Sequence, residues 1–159
     1  GVFCRTKSAD KGKAVLTVDT EVENGSDASS NLTVVQQLFD ANGKEVAAAS
    51  KKISLPAKAD GKVTSDMNVG KPLLWSVEKP NLYRLKTTIV QNGKTIDETE
   101  TATGIRTFTF DPDKGFALNG KWMKLKGVCL HHDAGVLGSA VPREVWKRRL
   151  LTLQELGCN

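Results

Sequence analysis

The side chains best suited to chemistry fall in one stretch, Leu125 to Gly135, which reads LKGVCLHHDAG. A short apolar run meets a glycine, then a cysteine, and two residues on come His131, His132 and Asp133. Imidazole both donates and accepts hydrogen bonds near neutral pH, and it is a common metal ligand. This is the chain's only dense group of potentially reactive side chains, and His-His-Asp looks rich in metal ligands. The metal reading is weak. Adjacent residues of an extended segment point to opposite faces, so His131 and His132 do not readily share one metal, and no metal site is expected. The three cysteines, Cys4, Cys129 and Cys158, are far apart and form no CxxC or Cys/His spacing. They read as reduced, packed thiols rather than zinc ligands or a disulfide framework.

The elements around this stretch change character at it. Upstream, the chain alternates with a period of two. Ala14, Leu16, Val18, Thr20 and Val22 share one face of a half-buried strand, and Val15, Thr17, Asp19 and Glu21 share the other. Turn-rich NGSDASSN (24–31) ends that strand. Leu32 to Phe39 is a second strand of ambiguous facing, because Val34 and Val35 are adjacent. Asn42-Gly43 supplies a hairpin turn, and Glu45 to Leu55 returns as a third strand. A loop over 56–61 leads to a fourth, Lys62 to Val69. Residues 70–80 hold Pro72, Trp75 and Pro80 and predict an ordered connection. Leu82 to Val90 is a strand with Tyr83, Leu85, Thr87 and Ile89 in phase, Asn92-Gly93 is another hairpin turn, and Thr95 to Phe110 returns, broken near Gly104. Six or seven short strands spaced by turns predict an all-β fold, an immunoglobulin-like antiparallel β-sandwich, over residues 1–111.

Downstream of the boundary Asp111-Pro112-Asp113-Lys114-Gly115 the pattern differs. Phe116 to Leu118, the Asn119-Gly120 turn and Lys121 to Val128 predict a small hairpin running into a strand. Pro142 is placed as the first residue of a helix. Trp146, Leu150 and Leu153 make an apolar stripe, with Val145 and Leu156 beside it, and Gly157 supplies a left-handed stop. Strand, loop, helix is the opening of a β/α unit, which cannot bury its own faces. Residues 112–159 therefore read as an incomplete unit, with an apolar helix stripe and a strand with unpaired edges, expected to be disordered, docked irregularly, or paired with a second copy in an oligomer or swapped contact.

Composition narrows the function. Hydrophobic residues make up 39% and charged residues 26% of the 159, as in ordinary globular chains. No segment is long and apolar enough for a membrane helix. A formal charge of +5 is spread over strands and turns, and few aromatics interleave with it, so nucleic-acid binding is not expected. The local cluster Lys147, Arg148 and Arg149 reads as a solvated helix face. Trp75 reads as a core or interdomain plug and Trp146 as the buried anchor of the helix.

Three segments together resemble glycoside hydrolase family 2, the family of β-galactosidases, β-glucuronidases and β-mannosidases. Trp75-Ser76-Val77-Glu78-Lys79-Pro80-Asn81-Leu82-Tyr83 resembles the family's W-S-x-E-x-P-x-L-Y segment. Gly104-Ile105-Arg106-Thr107-Phe108 is similar to the end of its central sandwich. Phe116 to Lys121 and Leu125 to Val128 are similar to the beginning of its catalytic barrel. The LHHDAG wording is closest to bacterial β-galactosidase-type members. The resemblance implies that 112–159 begin a TIM barrel, with Lys121 to Val128 its first strand and the histidine loop at that strand's C-terminal end, where such barrels place their chemistry. It implies retaining hydrolysis by two glutamates whose carboxyls lie about 5–5.5 Å apart, on later barrel strands. Glu144 and Glu155 on the helix and Asp111 and Asp113 in a turn are no substitute, so these residues alone are expected to be inactive. Gly127-Val128-Cys129-Leu130-His131 resembles the family's G-V-N-x-H motif, which gives His131 a place in the sugar pocket of the complete enzyme. Cys129 stands where the motif has asparagine and His132 where many members have glutamate. His131, His132 and Asp133 are thus candidate substrate-binding residues toward an oligosaccharide or β-galactoside, with no cofactor implied. A periplasmic or secreted enzyme is favoured over a cytoplasmic one. The rival reading is a stand-alone immunoglobulin- or fibronectin-like module that binds carbohydrate or protein.

Overall fold

A computed structural model describes all residues, 1–159. Its main body is a seven-stranded antiparallel β-sandwich. One sheet has the order β1 (Val2–Ala9), β2 (Lys13–Glu23), β5 (Asp60–Gly70). The other has the order β4 (Glu45–Leu55), β3 (Ser30–Phe39), β6 (Tyr83–Gln91), β7 (Lys94–Thr103). Every pairing within these two sheets is antiparallel. Strand β1 lies outside the strands anticipated from sequence. Its inward series Val2, Cys4 and Thr6 is weakly apolar, and its outward series carries Phe3, Arg5 and Lys7. As an edge strand it needs only one well-packed face.

The register settles the facing of β3. Val34 lies opposite Ile89 and is 1% exposed, whereas Val35 faces outward and is half-buried. The two apolar faces meet in a shared core, with Leu16, Val18 and Met67 from one sheet packed with Leu38, Tyr83 and Leu85 from the other. A second cluster holds Leu32, Val34, Leu55, Val63 and Ile89. Burial of this kind stabilises by roughly 25 cal/mol per Å² of apolar surface, which is the main force holding the sheets together. Asn92 and Gly93 both take positive φ (50° and 75°), the conformation that a two-residue hairpin between right-twisted strands requires. The break expected near Gly104 falls at residues 104–107, after which the chain leaves the sandwich sheets.

Three further strands, β8 (Phe108–Asp111), β9 (Gly115–Leu118) and β10 (Lys121–Met123), form a separate sheet in the order β10-β9-β8. By contact density the chain divides into two units. One comprises residues 1–109 with 118–120, and the other comprises 110–117 with 121–159. The second unit departs from the sequence reading in three ways. The strand expected over Lys121 to Val128 stops at Met123, and residues 124–130 are exposed with no regular structure. A strand persists only with a ladder partner, and beyond β10 the segment gains only one residue's worth of pairing, described below. The helix α1 spans Arg143–Glu155, with Pro142 at the N-cap, in extended conformation, rather than in the first turn. No residue of α1 is buried. Trp146 is half-buried rather than a buried anchor, because within these residues no second layer covers the stripe. Gly157 has φ 90°, the left-handed stop anticipated after the last turn.

Candidate functional site

The histidine loop hangs between two anchors. The first is Asn159. Its backbone N–H donates to the Lys126 carbonyl at 3.0 Å. Its side-chain Oδ1 accepts from the Lys126 N–H at 2.9 Å, and its Nδ2 donates to the Lys124 carbonyl at 3.0 Å. One residue therefore offers the extended segment the donors and acceptor that a neighbouring strand would supply. The second anchor is Arg149. Its Nη1 donates to the Asp133 carbonyl at 2.6 Å, and its guanidinium lies 5.1 Å from the Trp146 ring centroid. Trp146 and Arg149 are three apart on α1 and so share a face. The guanidinium lies over the indole while its Nη1 holds the loop backbone. Arg149 is half-buried, unlike exposed Lys147 and Arg148. The solvated-face reading therefore holds for two of the three. The i,i+3 Trp-Arg spacing was the signal that could have singled out the third.

Between the anchors, residues 131–133 lead into a short 3₁₀ turn, η1 (Gly135–Leu137), closed by the Ala134 N–H on the Gly138 carbonyl at 3.1 Å. Gly135 and Gly138 both have positive φ, a conformation that glycine adopts without steric cost, and they flank this turn. The side chains of His131, His132 and Asp133 are all exposed. No group of three or more His, Cys, Asp or Glu side chains that could hold a metal ion forms around them or anywhere else in the chain. The loop offers hydrogen-bonding groups to solvent, and it contains no assembled nucleophile and base. Cys129 is exposed and Cys158 half-buried, while Cys4 lies against the sandwich core, where burial raises its thiol pKa.

The Trp75 segment has a structural part. The Trp75 N–H donates to the Ile105 carbonyl at 2.8 Å, and the Arg106 guanidinium lies 5.1 Å from the indole centroid. A Cβ added at Gly104 would stand 2.9 Å from Cβ, Cγ and Cδ1 of Trp75, so the indole sits directly on the glycine. Asn119 completes the knot. Its Oδ1 accepts from the Thr107 N–H at 3.0 Å, and its Nδ2 donates to the Trp75 carbonyl at 2.9 Å. Two of the three segments singled out by resemblance, at 75 and 104–108, thus meet in one plug, with Asn119 of the third.

On the outer face of the three-stranded sheet, Asp19 is 8% exposed yet charged. Thr64 Oγ1 donates to it at 2.6 Å, Arg5 at 2.6 Å, and Lys62 Nζ lies 3.1 Å away. These bonds, the Thr64 hydroxyl first, hold its carboxyl well below the usual carboxylate range. Asp66 is similarly lowered by Lys7 and then Thr17. The network neutralises charge on a sheet face and brings no reactive pair together.

With this geometry in place, comparison with known proteins is decisive for the family. The family model for glycosyl hydrolases family 2 matches residues 1–106. The chain belongs to glycoside hydrolase family 2. The match covers the sandwich, including the Trp75–Gly104 plug. Among curated proteins, the β-galactosidase BoGH2A of Bacteroides ovatus is 42% identical over 159 residues, all of this chain and 19% of that protein. Among solved structures, a family 2 member from Bacteroides cellulosilyticus superposes with a TM-score of 0.93 at 34% identity, over 100% of this chain and 22% of that one. A β-glucuronidase from Bacteroides uniformis gives 0.87 at 33% identity, over 100% of this chain and 19% of that one. The chain therefore spans about one fifth of the length of the relatives it matches.

Proposed function

We propose that these residues are the immunoglobulin-like sandwich (1–111) and the first β/α unit of the catalytic barrel (112–159) of a bacterial retaining β-glycosidase of β-galactosidase type. His131, His132 and Asp133 would then form one wall of its sugar pocket. The observation that carries this is the 42% identity to a β-galactosidase, which runs the whole length of the chain and hence through the histidine loop. The barrel assignment draws support from Asn159. Its N–H donates to the Lys126 carbonyl after a strand–loop–helix path, the first rung expected of a parallel β/α/β pair. The two carboxyls that cleave the glycosidic bond are assigned to barrel strands outside these residues, and the loop contributes hydrogen bonds to sugar hydroxyls.

The experiment is a comparison of aryl β-galactoside and aryl β-glucuronide turnover by the full-length gene product and its His131→Ala variant. Galactoside hydrolysis that falls by a factor on the order of 10²–10³ in kcat/KM in the variant, with unfolding unchanged, supports the reading. Hydrolysis untouched by the substitution removes His131 from the pocket. Turnover of the glucuronide alone favours the second reading, a β-glucuronidase, which the relatives carrying that name support. A natural gene product that ends near Asn159 and binds sugar without cleaving it would favour a stand-alone module instead.

A further inference from the structure

The sandwich core is interrupted by a polar layer. Four strands each place one polar side chain at an inward position where apolar residues flank it. These are Thr20 between Val18 and Val22, Gln36 between Val34 and Leu38, Ser65 between Val63 and Met67, and Thr87 between Leu85 and Ile89. All four are buried, at 3%, 0%, 2% and 2% exposure. The flanking residues sort without exception. Val18, Leu38, Met67 and Leu85 belong to or pack on one apolar cluster. Val22, Val34, Val63 and Ile89 belong to or pack on the other. The polar layer is thus the seam that divides the core in two.

Within the seam the protein satisfies itself only in part. Gln36 Nε2 donates to Thr20 Oγ1 at 2.9 Å, a bond that crosses from one sheet to the other. Gln36 Oε1, Ser65 Oγ and Thr87 Oγ1 are buried with no hydrogen-bond partner among the protein's own groups. Their chemistry is complementary to one molecule. The amide oxygen needs a donor, and each hydroxyl has a proton to give. Gln36 and Thr87 lie directly opposite each other in the β3–β6 register. Beside the seam, Thr20 and Thr87 also line a cavity of about 470 Å³ between the sheets, together with Thr99 and Thr101.

We propose that the seam is an internal water site. A long-lived water donates to Gln36 Oε1 and accepts from the Thr87 hydroxyl, with Ser65 as the third partner on the facing sheet. Buried waters in proteins make about three such bonds to groups that would otherwise be unsatisfied. A polar seam bridged in this way also fixes how the two sheets register, because sliding either sheet by one inward position would set Gln36 against an apolar neighbour.

The test uses the 159-residue chain. High-resolution diffraction should show ordered density within hydrogen-bond reach of both Gln36 Oε1 and Thr87 Oγ1. Water–protein cross-relaxation in solution should reach the Gln36 side-chain amide with the sign of long residence. Water relaxation dispersion should lose one long-lived molecule in the Gln36→Leu/Thr87→Val variant relative to the wild type. A dry seam in which Gln36 Oε1 and the hydroxyls bond one another or the backbone would overturn the proposal. So would wild-type protein whose Gln36 amide shows no contact with slow water, a result that does not depend on any variant folding.

Discussion

Gly104→Ala is the substitution whose cost follows most directly from the structure. The added Cβ would meet three atoms of Trp75 at 2.9 Å, where ordinary contact begins near 3.4 Å. The indole cannot swing away freely. Its backbone N–H is bonded to Ile105, its carbonyl is held by Asn119, and Arg106 covers its face. Overpacking a constrained ring costs about 1–3 kcal/mol, and disturbing the cation–π contact adds about 0.5–1 kcal/mol. At about 4–8 °C of melting temperature per kcal/mol for a domain of roughly 100 residues, a loss of about 2 kcal/mol lowers the midpoint by about 8–16 °C. The assay is thermal and urea unfolding followed by tryptophan fluorescence, combined in a double-mutant cycle with Trp75→Ala. Without the indole, the alanine at 104 should cost less by about 1 kcal/mol, so the two changes should be non-additive. A Gly104→Ala midpoint within a degree of wild type, or strict additivity with Trp75→Ala, would refute the plug.

Other expectations follow from the same geometry. Asn119→Gly keeps the left-handed backbone but removes the two side-chain bonds to Thr107 and Trp75, so urea unfolding should show a loss of about 2 kcal/mol. Asp19 and Asp66 have folded pKa values below their unfolded ones. Their contribution is therefore fully present above the unfolded value of about 3.9 and is lost as pH falls below it. The urea midpoint should drop between roughly pH 5 and pH 2, and Asp19→Asn should flatten that drop while lowering the midpoint at neutral pH. Thiol labelling should modify Cys129 rapidly and Cys4 only as the chain unfolds, since Cys4 is packed against the core with its thiol pKa raised by burial. Equal rates would place Cys4 on the surface. Arg149→Ala should raise amide exchange over residues 134–138 without changing the sandwich midpoint, because the Asp133 carbonyl and the Trp146 ring that it releases both lie outside the sandwich.

What the sequence determined was mostly local. Period-two alternation in 14–22 and 83–89 names the buried faces because only one face of a sandwich strand meets the other sheet. Asn92-Gly93 and Asn119-Gly120 name their turns because those backbones need positive φ. The wording around Trp75, Gly104 and His131 was enough to point to the family. Strand β1 was harder to see, since an edge strand needs little apolar pattern. Lys121 to Val128 looked like a full strand because its composition suits one, but a strand lasts only as far as its ladder, and here the ladder ends at Met123. The polar seam was invisible in one dimension. Thr20, Gln36, Ser65 and Thr87 sit in four separate strands, and only the packing of sheet on sheet brings them to one level between two apolar clusters. The same holds for the anchors of the histidine loop. Arg149 and Asn159 are distant in sequence from the residues they hold, and their hydrogen bonds form only once the helix has turned the chain back on itself.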